Sequence, residues 1–205
     1  MSSRRRNILL LLAGFWLASL VGGFAALQAY AGRAGRLGEP GSAATAWLES
    51  HRRPGRPLVV MAVHARCPCT DASLAELGDF LARSRGECDA LLLRYSPGAP
   101  AAGSSPGEIR VLGGVSVPLL ADPTGRLAAD LGAFTSGSVI MMDAAGRIRF
   151  HGGLTLERGH RGRSPAQDAM LALVTTPADA SLAVAPVYGC PLPEQVAFAR
   201  PEVCQ

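Results

Sequence analysis

Hydrophobic positions fall along the chain in three rhythms. From Ile8 to Ala31 they run without a charge for 24 residues, about 36 Å as a helix and enough to cross a bilayer. Leu58-Val59-Val60-Met61-Ala62-Val63 and Ala90 to Tyr95 are short continuous apolar runs, the pattern of buried strands at the centre of a sheet. Elsewhere the apolar residues recur at helical spacing. Leu74, Leu77, Phe80 and Leu81 share one face, with Ser73 and Glu76 at capping-box spacing. Ala43 to Ser50 reads as a short helix anchored by Trp47 and Leu48 and broken by Pro54, Gly55 and Pro57. Thr124 to Phe134 reads as another, with Leu127 and Leu131 four apart. Ser164 as N-cap and Pro165 at the first helical position start a last one, through Met170, Leu171 and Val174. Ser138 to Met142 and Arg147 to Phe150 form a hairpin around Asp143-Ala144-Ala145-Gly146. Ser96 to Gly114, dominated by Pro, Gly, Ser and Ala, reads as mostly loop, and Val117 to Ala121 as a short edge strand.

The order strand, helix, strand, helix, hairpin, helix implies a parallel pair joined to an antiparallel pair, with helices on both faces. The expected class is α/β, a central mixed sheet flanked by helices, preceded by an N-terminal transmembrane helix. The chain divides into an anchor at 1–31, a Gly- and Arg-rich tether with a short helix at 32–56, a folded domain at 57–180 and a cysteine-containing tail at 181–205.

Charge adds an orientation. Arg4, Arg5 and Arg6 flank the apolar run and should stay in the cytoplasm, which places everything after Ala31 outside. Ala29-Tyr30-Ala31 also fits a signal-peptide cleavage site, and both readings export the domain. Formal net charge is +4 and those three arginines supply most of it. With so few aromatic side chains besides, a nucleic-acid surface is excluded. Five cysteines, Cys67, Cys69, Cys88, Cys190 and Cys204, then lie where disulfides persist. An odd count leaves at least one unpaired or paired with another molecule.

Cys67 sits between a buried strand and the first turn of a helix. Unpaired N–H groups and the positive end of the helix dipole converge there and stabilise a thiolate, and Arg66 adds positive charge. Cys69, two residues on, can resolve a mixed disulfide. A Cys-x-Cys ring is tight, and departure from relaxed geometry makes a disulfide more reducible, so the couple should be comparatively oxidising. Cys67, Cys69 and Arg66 are therefore the candidate catalytic residues of a thiol–disulfide oxidoreductase. It would need no cofactor, and its partners would be protein thiols or a redox partner protein, with the membrane engaged by the N-terminal helix. Cys190 is a candidate accessory thiol, a metal ligand, or the partner of Cys204 in pinning the tail. The competing class is a metallochaperone-like module holding copper(I) or zinc through Cys67, Cys69, Cys190 and His64. His64 is otherwise a strand-end histidine bonded to backbone. Cys88 reads as a small buried residue, His51 and His151 as structural, and His160 among Arg158, Arg161 and Arg163 as part of a solvated basic loop.

The segment Val60 to Leu77, the second strand, Asp122-Pro123-Thr124-Gly125 and the hairpin from Met141-Met142-Asp143 to Gly146 resemble the membrane-tethered thioredoxin/alkyl-hydroperoxide-reductase-type superfamily. More narrowly, four motifs resemble its exported RedB-like branch. They are His64-Ala65-Arg66-Cys67-Pro68-Cys69-Thr70, Thr135-Ser136-Gly137, Gly152-Gly153-Leu154-Thr155 with Arg158-Gly159-His160, and Tyr188-Gly189-Cys190-Pro191-Leu192. The likeness runs from about Pro57 to Leu192. It implies a thioredoxin-like fold, a redox activity through the Cys-Pro-Cys pair, and a single-pass protein of a bacterial inner membrane with its domain in the periplasm. It also places Cys190 in a recurrent Gly-Cys-Pro-Leu tail. The chain departs from the wider pattern in having no Trp-Cys-x-x-Cys, and Ser136-Gly137 stands near the position where thioredoxins carry a cis-proline. A peroxidase variant would need a Thr-x-x-Cys ahead of a helix, which the sequence does not supply.

Overall fold

Strand β1 (Leu58–His64) forms the middle of a seven-stranded sheet because both of its faces are apolar, and six of its seven residues are buried. The computed structural model describes residues 3–65, 67–96, 108–175 and 181–192. It forms two compact units, Met1–Arg33 and Ala34–Gln205. The first is the single helix α1 (Ser3–Ala31), long and apolar enough to cross a membrane and with no buried residue.

The second unit holds the sheet, built from β1, β2 (Asp89–Tyr95), β3 (Ile109–Leu112), β4 (Val115–Ala121), β5 (Ser138–Met142), β6 (Ile148–Gly152) and β7 (Ala183–Val184). Their spatial order is β3-β4-β2-β1-β5-β6-β7. β1 runs parallel to β2 and antiparallel to β5, and β5 and β6 form the expected hairpin. Alternation along β1 sends Val59, Met61 and Val63 to one face. There they pack with Leu74, Leu77, Phe80 and Leu81 of α3 (Thr70–Arg83) and Met170 of α5 (Pro165–Thr175). Leu58, Val60 and Ala62 go to the other face, against Ala44 and Leu48 of α2 (Ser42–His51) and Ala128 of α4 (Arg126–Asp130). Each fully buried Leu or Phe contributes about 1.5–3 kcal/mol by leaving water. The start of α3 is thereby fixed against the end of β1, where the site forms.

Four local expectations change. Helix α3 begins at Thr70, so Ser73 and Glu76 lie inside it and form no capping box. Glu76 is buried instead, accepting the Gly162 N–H at 2.6 Å and bonding the Gln167 side-chain amide, which ties α3 to the approach of α5. The helix expected over 124–134 shrinks to α4, because Gly132 takes a left-handed conformation and its backbone lies against Gly38. Within the stretch expected to be loop, Ile109–Leu112 form β3, which makes β4 an interior strand. The tether is also bound from Gly35 onward. The N–H groups of Gly35, Gly38 and Gly41 donate to the carbonyls of Val187, Gly132 and Asp130, and Arg36 lies 4.3 Å from the centre of the Phe134 ring.

Candidate active site

Cys67 occupies the turn between β1 and α3. Its N–H donates to the His64 carbonyl at 3.2 Å, and its own carbonyl accepts the Thr70 N–H at 3.0 Å. Cys69 is the N-cap residue of α3, and its carbonyl accepts the Ser73 N–H. Strand end and helix start thus hold the two cysteines where unpaired backbone donors gather. Cys67 is only 6% exposed, while Cys69 and Cys190 are half-buried, and all three carry free thiols.

The Cys67 sulfur lies within hydrogen-bond reach of both other thiols. Burial pushes its pKa up. Hydrogen bonds from the side chain and backbone of Cys190, the backbone of Cys69 and the Thr70 hydroxyl outweigh that, so the thiol ionises below the ordinary cysteine range. Cys69 moves the other way. Burial, the negative charge on Cys67 and the hydrogen bond to it raise its pKa, partly offset by Arg158 and the Gly159 backbone. Cys190 is pushed up to about 11 by burial, by its hydrogen bond to Cys67 and by the charges of Cys67 and Cys69, with Arg158 again opposing. Of the three thiols, Cys67 is thus the one whose ionisation the site favours.

Cys190 is brought there by a strap of chain after β7. Ala185 donates to the His151 carbonyl at 3.2 Å, Ser136 donates its N–H to the Cys190 carbonyl at 2.8 Å, and Leu192 donates to the Phe134 carbonyl at 2.8 Å. Thr135 and Pro191 form an antiparallel bridge. Val187 and Leu192, 1% and 4% exposed, anchor the strap on either side of Cys190. Ser136 joins the three pieces. Its Oγ accepts the His64 N–H at 2.9 Å and lies 3.1 Å from the Thr70 hydroxyl, while its backbone holds Cys190. With Ser136 accepting from His64, its own hydrogen is available to Thr70 Oγ1, and the Thr70 hydrogen is left for the Cys67 sulfur or the His64 carbonyl. Beside Cys67 opens a cavity of about 310 Å³ lined in part by His64, Pro68, Thr70 and Arg94.

Of the residues singled out in the sequence, Cys67, Cys69 and Cys190 come together. Arg66 and Cys204 lie outside the described residues, and with Cys204 the pairing expected to pin the tail. The soft-ligand set of Cys67, Cys69, Cys190 and His64 is not assembled. Among the described residues no three His, Cys, Asp or Glu side chains are placed to hold a metal ion. The His64 ring packs against Tyr95 with centroids 5.4 Å apart. Cys88 is buried at the start of β2, and burial raises its pKa to about 12, which makes it inert. His51 stacks on Trp47, and burial lowers the pKa of His151 to about 4.

No family model and no curated protein matches the chain. Among solved structures it is similar to a hypothetical protein of Sinorhizobium meliloti, with TM-score 0.51 and 18% identity over 79% of this chain and 92% of that one. An uncharacterized conserved protein from Geobacillus kaustophilus gives TM-score 0.53 and 15% identity over 82% and 93%. A secreted Mycobacterium tuberculosis disulfide oxidoreductase matches more loosely, with TM-score 0.39 and 16% identity over 60% and 82%. At these identities the likeness is one of fold. The parallel pair β1–β2, the crossover helix α3 starting beside Cys67 and the antiparallel hairpin β5–β6 decide which fold it is. It is thioredoxin-like.

Two residues of this thioredoxin-like domain matter more than the sequence pattern indicates. Arg158, assigned by its neighbours to a solvated basic loop, is half-buried and donates to the Gly189 carbonyl of the strap. It is the described cation whose charge reaches Cys69 and Cys190. Ser136 stands out in the sequence as part of Thr135-Ser136-Gly137 and as a departure from proline, whereas its hydroxyl and N–H organise the site. Each acts on residues more than twenty positions away, so spacing alone cannot reveal them.

Proposed function

We propose that the chain is an exported, membrane-tethered thiol–disulfide oxidoreductase in which Cys67 is the nucleophile and Cys69 the resolving thiol. The observation that carries this is Cys67 held in the turn between β1 and α3, hydrogen-bonded to Cys69 and Cys190, with its pKa lowered and theirs raised. The thiolate attacks one sulfur of a client disulfide, and the client's other sulfur leaves with the bonding pair and takes up a proton. Cys69 then loses its proton and attacks the Cys67 sulfur. This releases the second client thiol and leaves a Cys67–Cys69 disulfide, two electrons having passed to the client. In the reverse sense the tight Cys-x-Cys disulfide oxidises a client dithiol, the direction its strain favours. Arginines 4 to 6, in the first turn of α1, support an orientation with the domain on the outer side of an inner membrane and protein thiols and disulfides as its substrates.

The test is disulfide exchange by the full-length chain in detergent with a disulfide-bonded protein. Wild type should exchange, and Cys67→Ser should lose all of it. Exchange persisting in Cys67→Ser would refute the assignment.

A further inference from the structure

Cys190 is a thiol presented rather than a thiol nearby. Backbone bonds at Ser136 and Phe134 and the buried anchors Val187 and Leu192 fix its position on both sides. Gly189 lets the strap lie this close, since a Cβ there would stand 2.0 Å from the Ser136 carbonyl oxygen. The Cys67 sulfur therefore has two thiol neighbours, one in its own helix turn and one on the strap, each hydrogen-bonded to it.

We propose that Cys190 is a second exchange partner of Cys67, so that the protein's disulfide resides on either Cys67–Cys69 or Cys67–Cys190 and passes between them. This rests on Cys67 being the nucleophile of the preceding section. In the transfer, Cys190 loses its proton and its sulfur attacks Cys67. The Cys67–Cys69 bond breaks as the Cys67–Cys190 bond forms, and Cys69 leaves with the bonding pair and takes up a proton. Nothing is oxidised or reduced overall, and no external reagent is needed. The tight Cys-x-Cys ring is relieved by the move. Arg158 lies close enough to lower the pKa of Cys69 and of Cys190, so its charge accompanies the thiolate whichever residue carries it. The same attack by Cys190 resolves a mixed disulfide between Cys67 and a client.

The reduced full-length chain in detergent is treated with glutathione disulfide, quenched in acid, alkylated and mapped by peptide mass spectrometry. Wild type should yield both Cys67–Cys69 and Cys67–Cys190 links. Cys69→Ser should form the Cys67–Cys190 link, with a Cys67–glutathione adduct about tenfold or more shorter-lived than in Cys69→Ser/Cys190→Ser, where no resolving thiol remains. The wild-type and Cys69→Ser arms leave Cys190 intact, so they stand even where the double variant folds poorly. A persistent adduct in Cys69→Ser with Cys190 fully alkylated, and only Cys67–Cys69 in wild type, would overturn the inference and leave the nucleophile untouched. Absence of any adduct or link at Cys67 in every variant would instead overturn the nucleophile itself.

Discussion

Cys67 illustrates how a buried thiol becomes acidic. Desolvation disfavours its anion, and only the number of donors around it reverses the balance. The largest of those contributions comes from Cys190, the side chain furthest away in sequence. The sign of the pH dependence follows. A thiol whose pKa is lowered keeps its thiolate as pH falls below the ordinary value of about 8.5, and loses it only through the lowered value. Alkylation of Cys67 should therefore rise with pH to a midpoint below that of a free cysteine and be flat above it. In Cys190→Ala the midpoint should move up and the rate at pH 7 should fall by about tenfold or more, since a hydrogen bond to a charged group is worth about 1.5 kcal/mol or more. Stopped-flow alkylation across pH 5 to 10 measures both. A Cys67 midpoint at the ordinary thiol value would remove the basis for a nucleophile.

At the scale of elements, the strap and the 134–136 loop form a short antiparallel pair laid against the β1–α3 junction. Gly189→Ala would force a methyl group into the Ser136 carbonyl and push the strap away. The expected cost is about 1–3 kcal/mol in urea unfolding, with loss of the Cys67–Cys190 link and retention of Cys67–Cys69. Unchanged linkage in that variant would mean the strap's seating is not what presents Cys190. The central elements were legible because burial writes itself as continuous apolar runs, as in Leu58 to Val63. Cys67 and Cys69 were legible because they follow such a run directly. Strand β3 was not, since Ile109, Arg110 and Val111 are exposed at an edge and carry no burial signal. Nor was the role of Glu76, whose capping spacing is accidental and whose partners lie at Gly162 and Gln167.

For the whole molecule, α1 is long and apolar enough to cross a membrane and carries Arg4 to Arg6 in its first turn, the basis of the proposed topology. The full-length chain should fractionate with membranes, and a reporter fused after Gln205 should be active only outside the cytoplasm. Recovery of a soluble form beginning at Gly32 would show that Ala31 is a cleavage site, and a reporter active in the cytoplasm would reverse the orientation. The centre of the sheet, a parallel pair beside an antiparallel hairpin, was foreseeable from element order. The joining of Ser136 and Arg158 to Cys67 and Cys190 was not, because it is produced by the crossover of β5 beside β1 and the return of the chain along β6.

As the proposed nucleophile, a residue with 6% of its surface exposed is also a clock. On the proposed chemistry, small disulfides reach the sulfur through the adjoining cavity, whereas a folded client meets it only when the chain segment around Cys67 opens. Turnover of such clients is then timed by how often that segment opens, and adding more client cannot hurry it past that frequency.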